Sequence, residues 1–306
     1  MNLRRVDLNL LTVFDAVMTE GNITRAAEKI GMSQPAVSTA ISRFRHLAGD
    51  ELFERTGRGL RPTPRARALA GPVRRALNMV VDALEQGDEF DVSLSEREFT
   101  LALGDFGELV MLPQLMQTLE AQNSNVSINT LSVTGIDVMK EMHYGNVDLH
   151  IWILPVEAGG ITCTQIGKTE EVCLVRRDHP TVKKELTLEQ YVALKHVVLQ
   201  MPGDYGPNVI DRELWKHGLK RNHALKVHTL FDVPRVLAST DMVCSVPRSV
   251  GRHFARVHEL KCVAAPMTTR YPVFMMWPAS AENDKGHAWL RQTLSEIFAM
   301  EEACGI

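Results

Sequence analysis

The feature that most constrains this chain is a change of period near residue 97. Upstream, apolar residues recur at helical spacing. Downstream, short apolar runs alternate with helical stretches as far as the last helix. A helical head and an alternating β/α body do not share one layer architecture, so separate folding units are required. The 306 residues suit two or three domains. At 45% hydrophobic and 23% charged, the chain has the composition of a soluble globular protein that folds without staples.

In the head, Asp7 is placed to cap a first helix with the apolar stripe Leu10, Leu11, Phe14, Val17 and Met18. Gly21-Asn22 stops it. Asn22 caps a second helix that buries Ile23, Ala26, Ala27 and Ile30, and Gly31 supplies the turn. Ser33 caps a third helix, with Pro35 tolerated in its first turn and Val37, Ile41, Phe44 and Leu47 facing inward. Two short helices crossing on small residues make a helix-turn-helix. The outer face of the third carries Gln34, Ser38, Thr39, Ser42, Arg43 and His46. Gln, Ser and Thr suit base edges in a major groove, whereas Arg43 and Arg45 suit phosphates. Base contacts fall toward the helix N-terminus, so Gln34, Ser38 and Thr39 come first.

A capped polar surface helix gives the same local pattern, and two further features decide between the readings. From Asp50 to Pro64, two extended runs flank Gly57 and Gly59, which reads as a β-hairpin wing bearing Arg55, Arg58 and Arg61. A basic hairpin beside such a helix fits phosphate or minor-groove contact. The net charge of −3 is also unevenly spread: residues 1–75 carry 13 Lys/Arg against 7 Asp/Glu, and residues 76–306 carry 21 against 30. A +6 head on a −9 body is the asymmetry of a nucleic-acid-binding unit joined to something else.

A long helix opens at Thr63 or Pro64 and runs to about Gly87. Leu69, Val73, Ala76, Leu77, Val80 and Leu84 form a coiled-coil-type seam along it. After a connector over residues 91–95, the predicted strands are 99–103, 126–131, 147–152, 172–175, 196–199, 225–229, 242–246 and 273–276. Helices are predicted at 109–119, 136–143, 209–217, 233–238 and 285–300. This alternation predicts open, mostly parallel sheets, in one large domain or two small ones.

Other classes find little support. No signal peptide and no membrane-length apolar run is visible, which points to the cytoplasm. The five cysteines, Cys163, Cys173, Cys244, Cys262 and Cys304, lack a C-x-x-C and read as free thiols. The histidines show no metal spacing, no phosphate-loop or nucleophile-elbow motif occurs, and no cofactor is implied. Met275-Met276-Trp277 reads as strand core. An enzyme with a DNA-binding appendage thus lacks a catalytic signature. A solute-binding protein conflicts with the basic head and the missing signal peptide.

The runs Thr24-Arg25-Ala26-Ala27-Glu28, Ser33-Gln34-Pro35-Ala36-Val37-Ser38, Leu52-Phe53-Glu54-Arg55 and Pro62-Thr63-Pro64 resemble the DNA-binding half of LysR-type transcriptional regulators. Gly145-Asn146-Val147-Asp148-Leu149, Leu174 to Pro180 and Val246-Pro247 extend the resemblance through the body, and methionine and tyrosine details suggest the branch of nodulation and aromatic-degradation regulators. The resemblance implies a winged helix-turn-helix over residues 1–63, a linker and dimerisation helix with connector over 64–94, and a two-lobed α/β, periplasmic-binding-protein-like effector domain over 95–306. Lobe 1 would take 95–165 and 266–306, and lobe 2 would take 166–265. It also implies promoter DNA, a small-molecule inducer, RNA polymerase and further copies of the chain, as homodimer and homotetramer, for partners. Gln34, Pro35, Ser38 and Thr39 fall where the family reads DNA, and Arg43, Arg55 and Arg58 match its phosphate positions; Ser42 of the outer helix face and Arg61 of the wing complete the DNA-contacting set read from the residues themselves. Thr39 is shorter than the side chain many relatives carry there.

A cleft in such a domain lies at strand C-termini. Here those ends bring Asp105, Phe106, Thr134, Gly135, Met201, Pro202, Phe231, Val246 and Pro247. Phe106 and Phe231 read equally well as core. Asp105 stands where the family often has a small hydroxyl residue, which points away from an acidic inducer and toward a cationic or neutral one.

Overall fold

The computed structural model describes residues 7–56, 59–84, 90–200, 208–267 and 270–303. Three helices open the chain: α1 (Asn9–Glu20), α2 (Ile23–Lys29) and α3 (Gln34–Ala48). Their ends follow from cap chemistry. Asn22 Oδ1 accepts from the amides of Thr24 at 2.8 Å and Arg25 at 3.2 Å. Gly31 takes φ +65°, open to glycine and strained for other residues. Ser33 Oγ accepts from the Ala36 amide at 3.3 Å. The expected cap at Asp7 is displaced: Leu8 occupies the cap position, while Asp7 Oδ1 accepts from Asn9 N at 3.2 Å. Phe14 anchors the small core, with ring centres 4.9 Å from Phe44 and 5.9 Å from Phe53.

The wing forms as an antiparallel hairpin of β1 (Phe53–Thr56) and β2 (Gly59–Pro62). The Leu60 amide donates to Gly21 O at 2.9 Å, tying the wing to the α1–α2 turn. Helix α4 (Pro64–Leu84) follows, with Thr63 Oγ1 accepting from Ala66 N at 3.2 Å. Its seam is not one surface. Val73 is buried in the head's core, with Leu69 and Leu77 packed against it. Ala76 and Val80 face solvent, and the side chain of Leu84 lies outside the described residues. Farther round the helix, Gly71 meets helix α7 (Val138–Tyr144) at its glycine terminus. A Cβ on Gly71 would lie 2.2 Å from Gly145 Cα, so the two backbones approach as only glycines allow.

The body is one mixed sheet in the order β4-β3-β5-β11-β6-β9-β7-β8, with β10 also on β6. Its strands are β3 (Glu98–Ala102), β4 (Ser127–Thr130), β5 (Leu149–Trp152), β6 (Ile161–Arg176), β7 (Lys195–Leu199), β8 (Asn222–Val227), β9 (Val243–Pro247), β10 (Leu260–Ala264) and β11 (Arg270–Pro278). Four pairings are parallel and four antiparallel, so the expectation of mostly parallel sheets does not hold. The reason is β6, whose first part, to Glu170, pairs with β11, and whose last part, from Glu171, pairs with β9 and β10. One strand thus serves two parallel half-sheets and runs antiparallel to members of both. The sequence disclosed only its apolar end, because Thr164, Gln165, Lys168 and Glu170 interrupt the earlier part.

Helices α5 (Gly104–Val110), α6 (Leu112–Ala121), α7 and α12 (Lys285–Ala303) surround the first half-sheet. Helices α8 (Leu188–Ala193), α9 (Val209–Lys216), α10 (Val233–Ala238) and α11 (Arg248–Val257) belong with the second. The single helix predicted at 109–119 is therefore two, broken at Met111 before Pro113. The sequence reading also lacked α8, α11 and β10. Two buried ion pairs fix the lobes: Arg97 on Asp284 at 2.6 Å in the first, Arg221 on Asp211 at 2.7 Å in the second. No helix of the described residues is long and apolar enough to cross a membrane.

Candidate nucleic-acid interface and ligand cavity

Helix α3 exposes Gln34, Pro35, Ser38, Thr39, Ser42 and Arg43 along one side, while Val37, Ala40 and Phe44 are buried on the other. The helical repeat therefore delivers the expected face intact. Local bonding alters what each side chain has to offer. Thr39 Oγ1 donates to Pro35 O at 2.9 Å, so its proton is held by its own helix. Arg43 pairs with Asp7 at 3.2 Å, but its side chain is 60% exposed. Arg45 pairs with Glu51 at 3.0 Å. On the wing, Arg55 is exposed and Arg61 is held by Glu54 at 2.6 Å; Arg58 lies outside the described residues. The pairs of Arg43 and Arg61 are exposed, where an ion pair is worth little and exchanges readily.

The second site lies where the half-sheets meet: a cavity of about 130 Å³. It collects Asp105, Phe106, Thr134, Val246 and Pro247 from the sequence reading. Gly135 is not among its lining residues, and Met201 and Pro202 fall outside the described residues. Phe231 does not reach it either. Strand β8 ends at Val227 and the chain turns before α10, which sends His228 and Leu230 to the cavity and leaves Phe231 80% exposed. Asp105 has a role the sequence did not suggest. Its Oδ2 accepts from the Leu230 amide at 2.5 Å and so bridges the two halves.

The sequence also missed the cavity floor, formed by Thr169 and Glu171 of β6, Ser245 of β9 and Tyr271 of β11. Tyr271 Oη donates to Glu171 Oε1 at 2.6 Å. Burial pushes the Glu171 carboxyl up to about 7, against the hydrogen bond from Tyr271 and the charge of Arg221. Behind Ser245 lies a buried polar chain. Ser245 Oγ and Tyr191 Oη are 2.7 Å apart, Arg221 donates to Tyr191 Oη at 3.1 Å, and Arg221 also holds Asp211. Burial opposes the charge of Asp211, but Arg221 and His223 outweigh it and keep the carboxyl below its ordinary range. The available signal for Glu171 was its position, an acidic residue directly before the apolar run 172–175.

The four described cysteines are free, and burial pushes the thiols of Cys173 and Cys244 up to about 12, which makes both inert. Cys304 lies outside the described residues. No cluster of three or more metal-binding side chains occurs among them.

A winged helix-turn-helix with an exposed polar face, joined to two half-sheets around a cavity, is the plan of a ligand-responsive DNA-binding regulator. Residues 8–67 match the family described as "Bacterial regulatory helix-turn-helix protein, lysR family", and residues 93–299 match the "LysR substrate binding domain". The chain belongs to the LysR family of transcriptional regulators. It is 35% identical over 305 residues to the HTH-type transcriptional activator NagR of Ralstonia sp, covering 98% of this chain and 99% of that one. It is 32% identical over 301 residues to Nodulation protein D 1 of Bradyrhizobium sp. (strain NC92), covering 98% and 95%. The branch read from the sequence is thus the one its relatives occupy. Among solved structures, the probable transcriptional regulator PA0477 from Pseudomonas aeruginosa superposes with a TM-score of 0.69 at 32% identity, covering 95% of this chain and 97% of that one. The protein is accordingly a DNA-binding regulator with an effector-binding domain, and not an enzyme.

Proposed function

We propose that this regulator works in the cytoplasm and reads promoter DNA with residues 1–63. Residues 64–94 link its subunits, and residues 95–306 take an inducer between their lobes. Lobe 1 comprises about 95–165 and 266–306, and lobe 2 about 166–265. Gln34 and Ser38 read base edges. Pro35, Thr39 and Ser42 pack against the groove, and Arg43, Arg55, Arg58 and Arg61 grip phosphates. The exposed Val80 and Val81 of α4, 52% and 51% accessible, support pairing with a second chain as homodimer and then homotetramer. Likeness to a protein named a transcriptional activator supports activation through RNA polymerase.

The observation that carries the inducer reading is the Asp105–Leu230 bridge beside the cavity. A ligand that strengthens or breaks this contact changes the angle between lobes, a two-state device able to reset dimer spacing on DNA. Asp105 and Glu171 in the lining favour a neutral or cationic inducer over an acidic one. A gel shift with the intergenic DNA upstream of the protein's own gene, at physiological salt, tests the core of the proposal. Specific binding, competed by the same DNA and not by unrelated DNA, is expected; its absence overturns the reading.

A further inference from the structure

The cavity is chemically one-sided. Its walls are apolar and aromatic, with Phe106 and Trp152 among Val133, Ile151, Leu199 and Val273. Arg212 and His228 also line it, but both are exposed and so belong to the mouth. Amide donors enter the lining at Gln200 and Asn208, while at the floor the hydroxyls of Thr169 and Tyr271 are spent internally. Thr169 Oγ1 donates to Glu302 at 2.9 Å, and Tyr271 Oη donates to Glu171 at 2.6 Å, so both hydroxyl protons are already committed. Glu171 Oε2 is buried and has no hydrogen-bond partner among the described residues. A buried acceptor left without a donor is unfavourable, and a ligand that brings one recovers that loss. Volume sets the other limit. A dry apolar cavity of roughly 150 Å³ accommodates a benzene ring, so about 130 Å³ takes one ring rather than a fused or linked pair.

We propose that Glu171 is the specificity-determining residue of the cleft, and that the inducer is a single-ring aromatic compound whose buried end carries a hydrogen-bond donor, hydroxyl or amine, pointed at Glu171 Oε2. The walls take the ring and the floor takes the donor. A carboxylate directed at the floor meets the negative charge of ionised Glu171 and hydroxyls whose protons are already committed. The inference rests on the cleft being the inducer site.

The test is calorimetric titration of the full-length protein at about pH 8, where Glu171 is ionised, with four probes of matched shape: benzyl alcohol, benzylamine, benzoate and toluene. Benzyl alcohol and benzylamine should each bind at least about tenfold more tightly than benzoate or toluene, because one good buried hydrogen bond is worth that factor. Glu171→Gln keeps an acceptor oxygen without the charge. It should hold benzyl alcohol within a few-fold and weaken benzylamine about tenfold or more, which separates the two donor types. Glu171→Leu should lose the preference for both donors and bind toluene at least as well as the unaltered protein, an affinity that an unfolded variant cannot show. Thr134→Trp, at the exposed edge of the cavity, should weaken every probe. Tightest binding by benzoate, equal binding by toluene, or no binding by any probe overturns the proposal. If Thr134→Trp abolishes binding while the Glu171 variants change nothing, the cleft reading stands and the inference about Glu171 fails. If binding survives Thr134→Trp unchanged, the cleft reading itself fails.

Discussion

The head and the body of this regulator use charge in opposite ways. In the head, Arg43–Asp7 and Arg61–Glu54 are exposed pairs, with side-chain accessibilities of 60%/32% and 69%/52%. In the body, Arg221–Asp211 is enclosed at 2%/8% and Arg97–Asp284 at 10%/4%. An exposed pair adds little to stability and is easily traded, which suits the phosphate contacts proposed for these side chains. An enclosed pair adds little net energy over an apolar substitute, but it is expensive to break and so fixes geometry. These head pairs are interchangeable, whereas the two enclosed body pairs fix the packing of the elements that carry them. Substitutions at the two kinds of site should therefore behave differently, and the following outcomes would break or sharpen that contrast.

The largest effect is expected from Arg221→Met. It strands the Asp211 carboxylate with the His223 ring, 3.0 Å away, as its remaining side-chain partner among the described residues. Loss of one member of a buried pair destabilises by about 3–5 kcal/mol, measurable by urea unfolding. Adding Asp211→Leu should restore much of the loss. A change under about 1 kcal/mol in the single variant would show that the enclosed pair is as expendable as the exposed ones.

Next comes the pH response of Glu171. Its carboxyl ionises near 4.5 when unfolded and about 7 when folded, so the shift is upward and the sign follows. Below the unfolded value both states hold the proton and nothing is lost. Between that value and about 7 the unfolded chain ionises while the folded state, with the group buried beside Tyr271, keeps its proton, so stability falls by up to about 3 kcal/mol and the loss is complete once pH has risen through about 7. Glu171→Gln should match the unaltered protein near pH 5 and exceed it near pH 8, by thermal or urea melts. Parallel curves for the two proteins across that range would remove the buried-acid picture of the floor.

Asp105→Ala should cost about 2 kcal/mol of contact between the lobes, the value of a hydrogen bond to a charged group. Because the bond ends on the Leu230 amide, hydrogen exchange at that amide should accelerate more than exchange in the core of either half-sheet. Uniform acceleration would mean that Asp105 supports the fold generally and is no bridge.

What the sequence disclosed divides along the same line. The head was legible because its determinants are local: Asn22, Gly31 and Ser33 act within one helical turn, and the exposed face of α3 follows from its period alone. The cavity was legible only where strand ends announce themselves, as at Asp105, Phe106 and Val246. Glu171 and Tyr271 come together through β6–β11 pairing across 100 residues, and their burial has no signature in local periodicity. Phe231 failed for the same reason. A strand end predicts a neighbourhood, while the turn after β8 decides whether Phe231 or Leu230 faces inward.

The smallest effect on stability and the clearest effect on function should come from Arg43→Ala. Its partner Asp7 is itself partly exposed, so loss of the pair should alter stability by less than about 0.5 kcal/mol. If Arg43 grips a phosphate, affinity for specific and nonspecific DNA should fall alike. The slope of log affinity against log salt should then lessen by about one. A selective loss at one base position would move Arg43 from phosphate to base contact. A stability loss like that expected for Arg221→Met would be more consequential, because it would make the Arg43–Asp7 pair a structural element and end the distinction between an interchangeable head and a fixed body.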